Sequence, residues 1–313
     1  MAATDTRRTT QAAAAVPEDT RDPRHPAAGD IVSVAGGPRP AVSSWSTAVS
    51  SWSTAASPWR AALLGAAPVV GVLVFLGAWQ LLVELFSIEA YKLPGPWRII
   101  RHLADDPAFY LRHARVTTWE AFVGFCFALV AALPLATAMA LSRFVDRAVM
   151  PVAVLLQVTP IIAYAPAVVL WVGIGFRSIV VITAIVCYVP FVVNLMAGLR
   201  SVDPLLLEVA RSVAATRTEI FWRLRLPSAL PNTFAAARIC VGLALIGAVL
   251  GEFFGVVNRG LGYAIKVAQA RGTFLVDQLW AAIFVLALIG AVATFLLAVA
   301  ERVVLHWHAS QRD

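Results

Sequence analysis

The sequence predicts an all-α polytopic membrane protein with six transmembrane helices, on three observations. Sixty per cent of its 313 residues are hydrophobic and only 14% are charged, which leaves too little polar surface to cover a soluble core. Several apolar runs reach the ~20 residues that a helix needs to cross a bilayer. One long charged stretch, Asp203 to Pro231, breaks these runs and is too polar to span.

The elements follow in chain order. Residues 1–58 are rich in Ala, Ser, Thr, Pro and Gly and lack a sustained apolar period, so a disordered N-terminal tail is expected. The SWSTA element at Ser44 to Ala48 recurs at Ser51 to Ala55, and two copies without a larger period are low complexity rather than a repeat domain. Arg7-Arg8 is not read as a twin-arginine signal, because no apolar run follows until about residue 61. Residues 59–306 are the expected transmembrane domain, with spans at about 61–86, 116–141, 149–174, 178–199, 233–256 and 278–300. Residues 307–313 form a C-terminal tail. Pro134, Pro160, Pro166 and Pro190 interrupt spans, and a shape-giving role is expected of Pro160 and Pro166. Pro96 to Leu103 reads as a short outer amphipathic helix, with Trp97, Ile100 and Leu103 against the membrane or the bundle.

The charged stretch is well punctuated. Asp203 followed by Pro204 reads as an N-cap and first helical residue. Leu206, Val209, Ala210 and Val213 then share one helical face. A second short piece carries Ile220, Phe221 and Leu224, with Pro227 and Pro231 expected to end it. Two short helices at right angles to a membrane bundle make a docking surface, and a docking surface implies a partner.

Charge patterning sets the expected topology. The net charge of +7 is almost wholly arginine, which in a membrane protein points to orientation and anionic headgroups, not nucleic acid. With six spans both termini share one side, and the arginine bias makes that side cytoplasmic in a cell membrane, although loop 88–115 is unusually basic for an outer loop. Cys126, Cys187 and Cys240 all fall within spans and are expected to pack as small apolar residues.

The segment 203–231 resembles the EAA loop of ABC-importer permeases, the membrane subunits of binding-protein-dependent transport systems. Glu208 and Ala210 fill the first and third positions of that pattern, with Val209 between them, and Ala214 stands where the glycine is expected. Leu224 replaces an isoleucine, and Leu226-Pro227 match. Alanine for glycine at 214 is expected to tighten or straighten the turn between the two helices. The resemblance extends over roughly residues 60–306. Leu93-Pro94-Gly95-Pro96, Gly124-Phe125, Thr159-Pro160, Ala165-Pro166, Trp171, Gly173, Gly175, and Glu252 with Gly260-Leu261-Gly262 are similar to the branch importing nitrate, sulfonates, taurine and thiamine-precursor pyrimidines.

The resemblance implies a division of labour. An outer binding protein captures substrate, two permease copies form the path, and cytoplasmic ATPases supply the drive. Glu208, Ala210, Arg211, Ala214, Arg217, Leu224, Leu226 and Pro227 are then the ATPase-coupling residues, and a homodimer is the simple assembly. No Walker A pattern occurs in the sequence, so ATP is expected to be used by the partner and no cofactor by this chain. No GxSxG, HExxH or nucleophile–base set is present, and catalysis is not expected. Gln157, Tyr164, Asn194 and Glu252 are the candidate groups facing the translocation path, because polar side chains in spans are costly. Gln157 and Asn194 read equally as interhelical glue, and Glu252 as a headgroup-level partner of Arg259. The substrate expected from the resemblance is a small organic anion or heterocyclic precursor. A stand-alone secondary transporter is the alternative; it calls for inverted repeats and mid-membrane titratable residues. An ATP requirement with a separable ATPase distinguishes the two.

Overall fold

A computed structural model describes residues 58–255 and 257–306, and every described element is helical. The expected tails, at 1–57 and 307–313, lie outside these residues, as do the SWSTA copies. The chain divides into two units, Met1–Ala66 and Ala67–Asp313; the second carries all that follows.

The helices are α1 (Pro58–Leu85), α2 (Pro96–Asp105), α3 (Pro107–Leu141), α4 (Arg143–Val158), α5 (Ile161–Val172), α6 (Phe176–Arg200), α7 (Pro204–Ser212), α8 (Arg217–Ile220), α9 (Leu226–Phe254), α10 (Leu261–Ala270) and α11 (Val276–Val304). Among the described residues, α3, α6, the unbroken run Arg217–Phe254 and α11 are each long and apolar enough to cross a membrane. The six-span count is not reached on length and composition: there are four such helices, or five with a bent pair. The expected span at 149–174 is that pair, α4 and α5, turned by 103° at Pro160, one of the two prolines expected to give it shape. Thr159 closes α4 by donating its hydroxyl to the Leu155 carbonyl at 2.8 Å, and Pro160 caps α5. The proline ring disfavours helical geometry at the residue before it, so the chain turns there. Pro166 lies inside α5 without breaking it.

Helix α6 is central, packed along α3 on one side and α9 on the other. Small residues let these backbones approach. A Cβ at Gly247 would stand 2.7 Å from Thr183 Cα, and one at Gly198 would stand 2.8 Å from Ala229 Cα. Ala128, Ala132, Ala136, Ala236, Ala244 and Ala248 are buried in the same seam, the composition expected where van der Waals packing holds membrane helices together. Cys187 and Cys240 are buried in it with free thiols.

The two ends of this bundle differ. One carries the α3–α4 connection, the end of α6 and the segment 203–225; there Arg200 pairs with Asp146 at 2.8 Å and donates to the Met139 carbonyl. The other carries α2, the starts of α3 and α11, the end of α9, and α10. Arg98 of α2 holds Asp277 of α11 there at 2.8 Å. In α2 Pro96 and Ile99 are buried, whereas Trp97 and Ile100 are exposed, so of the two settings expected for that face the bundle does not take Trp97 and Ile100. The Gly95 backbone abuts Gln80 of α1 and fixes the entry of α2.

Candidate functional site

The segment between α6 and α9 is built from local signals. Asp203 caps α7, accepting from the Leu205 N–H at 2.8 Å, and Pro204 occupies the first turn. The helix closes with the Ala214 N–H on the Arg211 carbonyl and the Ala215 N–H on the Ala210 carbonyl, both at 3.0 Å. This pair of bonds is a Schellman motif, which needs a left-handed residue after the cap. Ala214 supplies it at φ 56°. The alanine therefore does not straighten the turn; it takes the conformation that glycine adopts freely. Thr216 then caps α8 in a reciprocal box with Glu219: the Glu219 N–H reaches Thr216 Oγ1, and the Thr216 N–H reaches Glu219 Oε2. These bonds to Thr216, backbone first, hold the Glu219 carboxyl below the usual glutamate range.

The second short piece does not end at Pro227 or Pro231. A π turn, Phe221–Arg225, joins α8 to α9, and the helix runs on from Arg217 to Phe254. Pro227 has no N–H to lose, and the widened turn just before it keeps its ring from the preceding carbonyls. The segment 203–231 is thus one free short helix plus the end of a long apolar helix, not two free helices.

The predicted apolar face of α7 is bare. Leu205 is 68% exposed, Val213 is 73% exposed, and Leu206 and Val209 are also open. Glu208 beside them is exposed and makes no salt bridge among the described residues. A cavity of about 770 Å³ opens under this segment, lined by Arg211, Arg217, Arg225, Leu207 and Phe221. Leu224, Leu226 and Pro227 are half-buried at its root.

The four polar path candidates are not brought together. Tyr164 lines an apolar cavity of about 540 Å³ with Phe127, Trp171 and Tyr188; Gln157, Asn194 and Glu252 lie elsewhere. Gln157 is exposed near the end of α4. Asn194 donates to the Pro190 carbonyl of its own helix at 2.8 Å, so that bond is intrahelical rather than glue between helices. Glu252 is 0% exposed. It accepts from the Thr117 hydroxyl at 2.6 Å and from the N–H groups of Gly262 and Tyr263 at 2.5 and 3.3 Å. It is therefore a buried brace inside the chain, neither a lining group nor a headgroup-level partner of Arg259. The reason is local: a Cβ at Gly260 or Gly262 would collide with its carboxyl, so the two glycines make the room that it fills.

The path candidates named from the sequence include no arginine, yet the fold gathers three. Arg112 and Arg115 of α3 and Arg259 before α10 line a single cavity of about 1010 Å³ with Trp119, Phe122 and Phe176. None of the three makes a salt bridge among the described residues. The surplus of arginine in loop 88–115 was the available signal; Arg259 joins it only through the packing of α10 on α3.

The family described as "Binding-protein-dependent transport system inner membrane component" matches residues 124–306. The chain belongs to this family. It is an inner-membrane, multi-pass transport component and not an enzyme. It works as an ABC-importer permease, whose ATP is used by a separate subunit. Among relatives, the formylaminopyrimidine transport permease protein ThiX of Halalkalibacterium halodurans is 31% identical, over 78% of this chain and 96% of its own length. The taurine transport system permease protein TauC of Escherichia coli is 28% identical, over 75% of this chain and 87% of its own. The fold is that of a chain of the MetNI methionine ABC transporter, solved in inward-facing conformations: TM-score 0.56 at 21% identity, covering 63% of this permease and 96% of that chain.

Proposed function

We propose that this permease forms half of a path for a small organic anion or heterocyclic precursor, and that α7 and the start of α8 couple it to the cytoplasmic ATPase. The observation that carries the coupling is the bare apolar face of α7. Leu205, Leu206, Val209 and Val213 face outward on a nine-residue helix at the end of the bundle. Left in water, such a face costs roughly 25 cal/mol per Å² of apolar surface, which a groove on a partner recovers. Glu208, with no internal partner, and Arg211 and Arg217 beside it are then the polar rim of that contact. Ala210 and Ala214 shape the turn, and Leu224, Leu226 and Pro227 root it in the span.

In this reading the segment 203–231 is cytoplasmic, both termini share its side, residues 59–306 are the transmembrane domain, and a second copy closes the path as a homodimer. An extracytoplasmic binding protein meets the opposite end, around α2 and α10. Tyr164 is the best-placed path candidate, since its cavity lies beside the α4–α5 bend; Gln157 and Asn194 have weaker support. The substrate class rests on the relatives, named for a pyrimidine and for taurine, and the arginine-lined cavity favours the member of that pair that carries a sulfonate. Affinity purification from native membranes in mild detergent tests the coupling. A stoichiometric ATPase that is lost in Leu206→Asp supports it, and an ATPase retained in full by Leu206→Asp overturns it.

A further inference from the structure

Glu252 has a second carboxyl beside it. Glu120 of α3 is 3% exposed and lies one helical turn after Thr117, whose hydroxyl donates to the Glu252 carboxyl at 2.6 Å. The Glu120 Oε2 atom finds no donor among the described residues. The two groups are unequally served. Glu252 has a hydroxyl and two N–H donors, which is the environment of an ionised carboxylate. Two carboxylates in contact in a dry site repel strongly, and one proton between them converts that repulsion into a hydrogen bond.

The surroundings join the pair to the far end of the molecule. Thr117, one turn before Glu120, accepts from the Leu261 N–H at 2.7 Å while donating to Glu252. His113, one turn further back, donates Nδ1–H to the Gly260 carbonyl at 2.9 Å. Other groups at this level are Arg112, Arg115 and Arg259, which line one cavity with Glu120. Tyr263 presents its N–H from α10, α6 packs Ile179 on Gly251, and α11 keeps Asp277 on Arg98. Three elements, α3, α9 and the turn into α10, therefore converge on one acidic pair.

We propose that Glu120 and Glu252 form a proton-binding site: Glu120 carries one proton, donates it to the Glu252 carboxylate, and thereby fastens the turn 260–263 to α3. The proton has an exit, because Glu120 also lines the arginine-walled cavity. When it leaves to water, both oxygens of the contact become acceptors and repel, which pushes the Glu252 carboxylate and the Gly262 and Tyr263 N–H groups it holds away from α3, leaving only Thr117 and His113 to hold the turn there. The site depends on no particular substrate and on no ATPase contact, so its failure would leave the proposed function standing.

Infrared spectroscopy of the purified full chain across pH is the test. The wild type should show a protonated-carboxyl C=O stretching band at neutral pH that disappears as pH rises, and Glu120→Gln should lack it. Hydrogen exchange supplies the second reading: the Gly262 and Tyr263 amides should lose protection as the band disappears. Glu120→Gln, whose amide still donates to Glu252, should keep that protection at every pH, whereas Glu252→Gln should lose it throughout. Absence of the band from the folded wild type overturns the proposal, as does its persistence in Glu120→Gln. If Glu120→Gln fails to fold, the wild type decides alone: loss of the band without loss of protection at Gly262 and Tyr263 also overturns it.

Discussion

The Ala215 N–H reaches the Ala210 carbonyl at 3.0 Å across a left-handed Ala214. An L-residue in that conformation costs about 1 kcal/mol relative to glycine. Ala214→Gly should therefore raise stability by about 1 kcal/mol, seen as a higher melting temperature in detergent, with ATPase binding unchanged. A β-branched residue there, as in Ala214→Val, should lower it. Equal melting of all three would show that the turn is relaxed in the membrane-bound protein.

Reversing the charge of Glu208 tests the polar rim. Glu208→Arg should leave membrane insertion and melting unchanged, because the side chain is exposed and makes no salt bridge among the described residues. It should reduce ATPase retention on an affinity column about tenfold, the effect of one lost charge-assisted contact of ~1.4 kcal/mol. Undiminished retention together with normal transport would remove Glu208 from the contact.

The capping box gives a pH dependence with a definite sign. The folded-state pKa of Glu219 is lowered, chiefly by the Thr216 backbone bond. Its contribution is therefore present above the ordinary glutamate range and is lost as pH falls through the depressed value. Protection factors of the Thr216 and Glu219 amides should fall over that acid window in the wild type and be low and flat in Glu219→Gln. A wild-type profile that stays flat would show that the box is open in solution.

Two glycines in α9 should respond oppositely to the same substitution. A methyl at Gly247 meets the Thr183 backbone at 2.7 Å, whereas one at Gly242 meets nothing within 4 Å. Gly247→Ala should cost about 1–3 kcal/mol by forcing α6 and α9 apart. Gly242→Ala should be neutral or stabilise by up to about 1 kcal/mol. Thermal melting of the two variants side by side decides whether the seam is as close as described.

The arginine-lined cavity separates the substrate classes. In proteoliposomes of the assembled transporter, replacing Arg112, Arg115 and Arg259 together with glutamine should raise KM for taurine about tenfold, for the loss of ~1.4 kcal/mol of attraction. It should leave KM for a neutral pyrimidine unchanged. A taurine KM unmoved by the triple change would remove these arginines from the route.

Much of this was legible in the chain because the signals were local. Asp203-Pro204 announces the start of α7, and the apolar spacing of 206, 209 and 213 identifies the face that is found bare. The spacing of Glu208, Ala214 and Leu226-Pro227 pointed to the family before any fold was visible. What failed depended on distance. Pro227 and Pro231 read as stops because a sequence does not display the π turn ahead of Pro227 or the continuation of the helix through Pro231. Pro160 is expected to shape span 149–174, but the size of its bend, 103°, depends on packing that a sequence does not display. Glu252 read as a lining group because its donors, Thr117 and Gly262, come from other elements, and Glu120 carried no motif at all.

The helix from Arg217 to Phe254 is 38 residues long, about 57 Å at 1.5 Å per residue. It begins in the coupling segment and holds Glu252 near its other end, so it is a lever with a handle at each membrane face. A tilt of about 5° around its middle would carry each end roughly 2.5 Å, close to a hydrogen-bond length. On the coupling proposed above, a push on the segment 203–231 would be felt at the other end of this helix as a bond made or broken. The π turn, sitting just inside the handle, is where such a lever would lose or keep its stiffness.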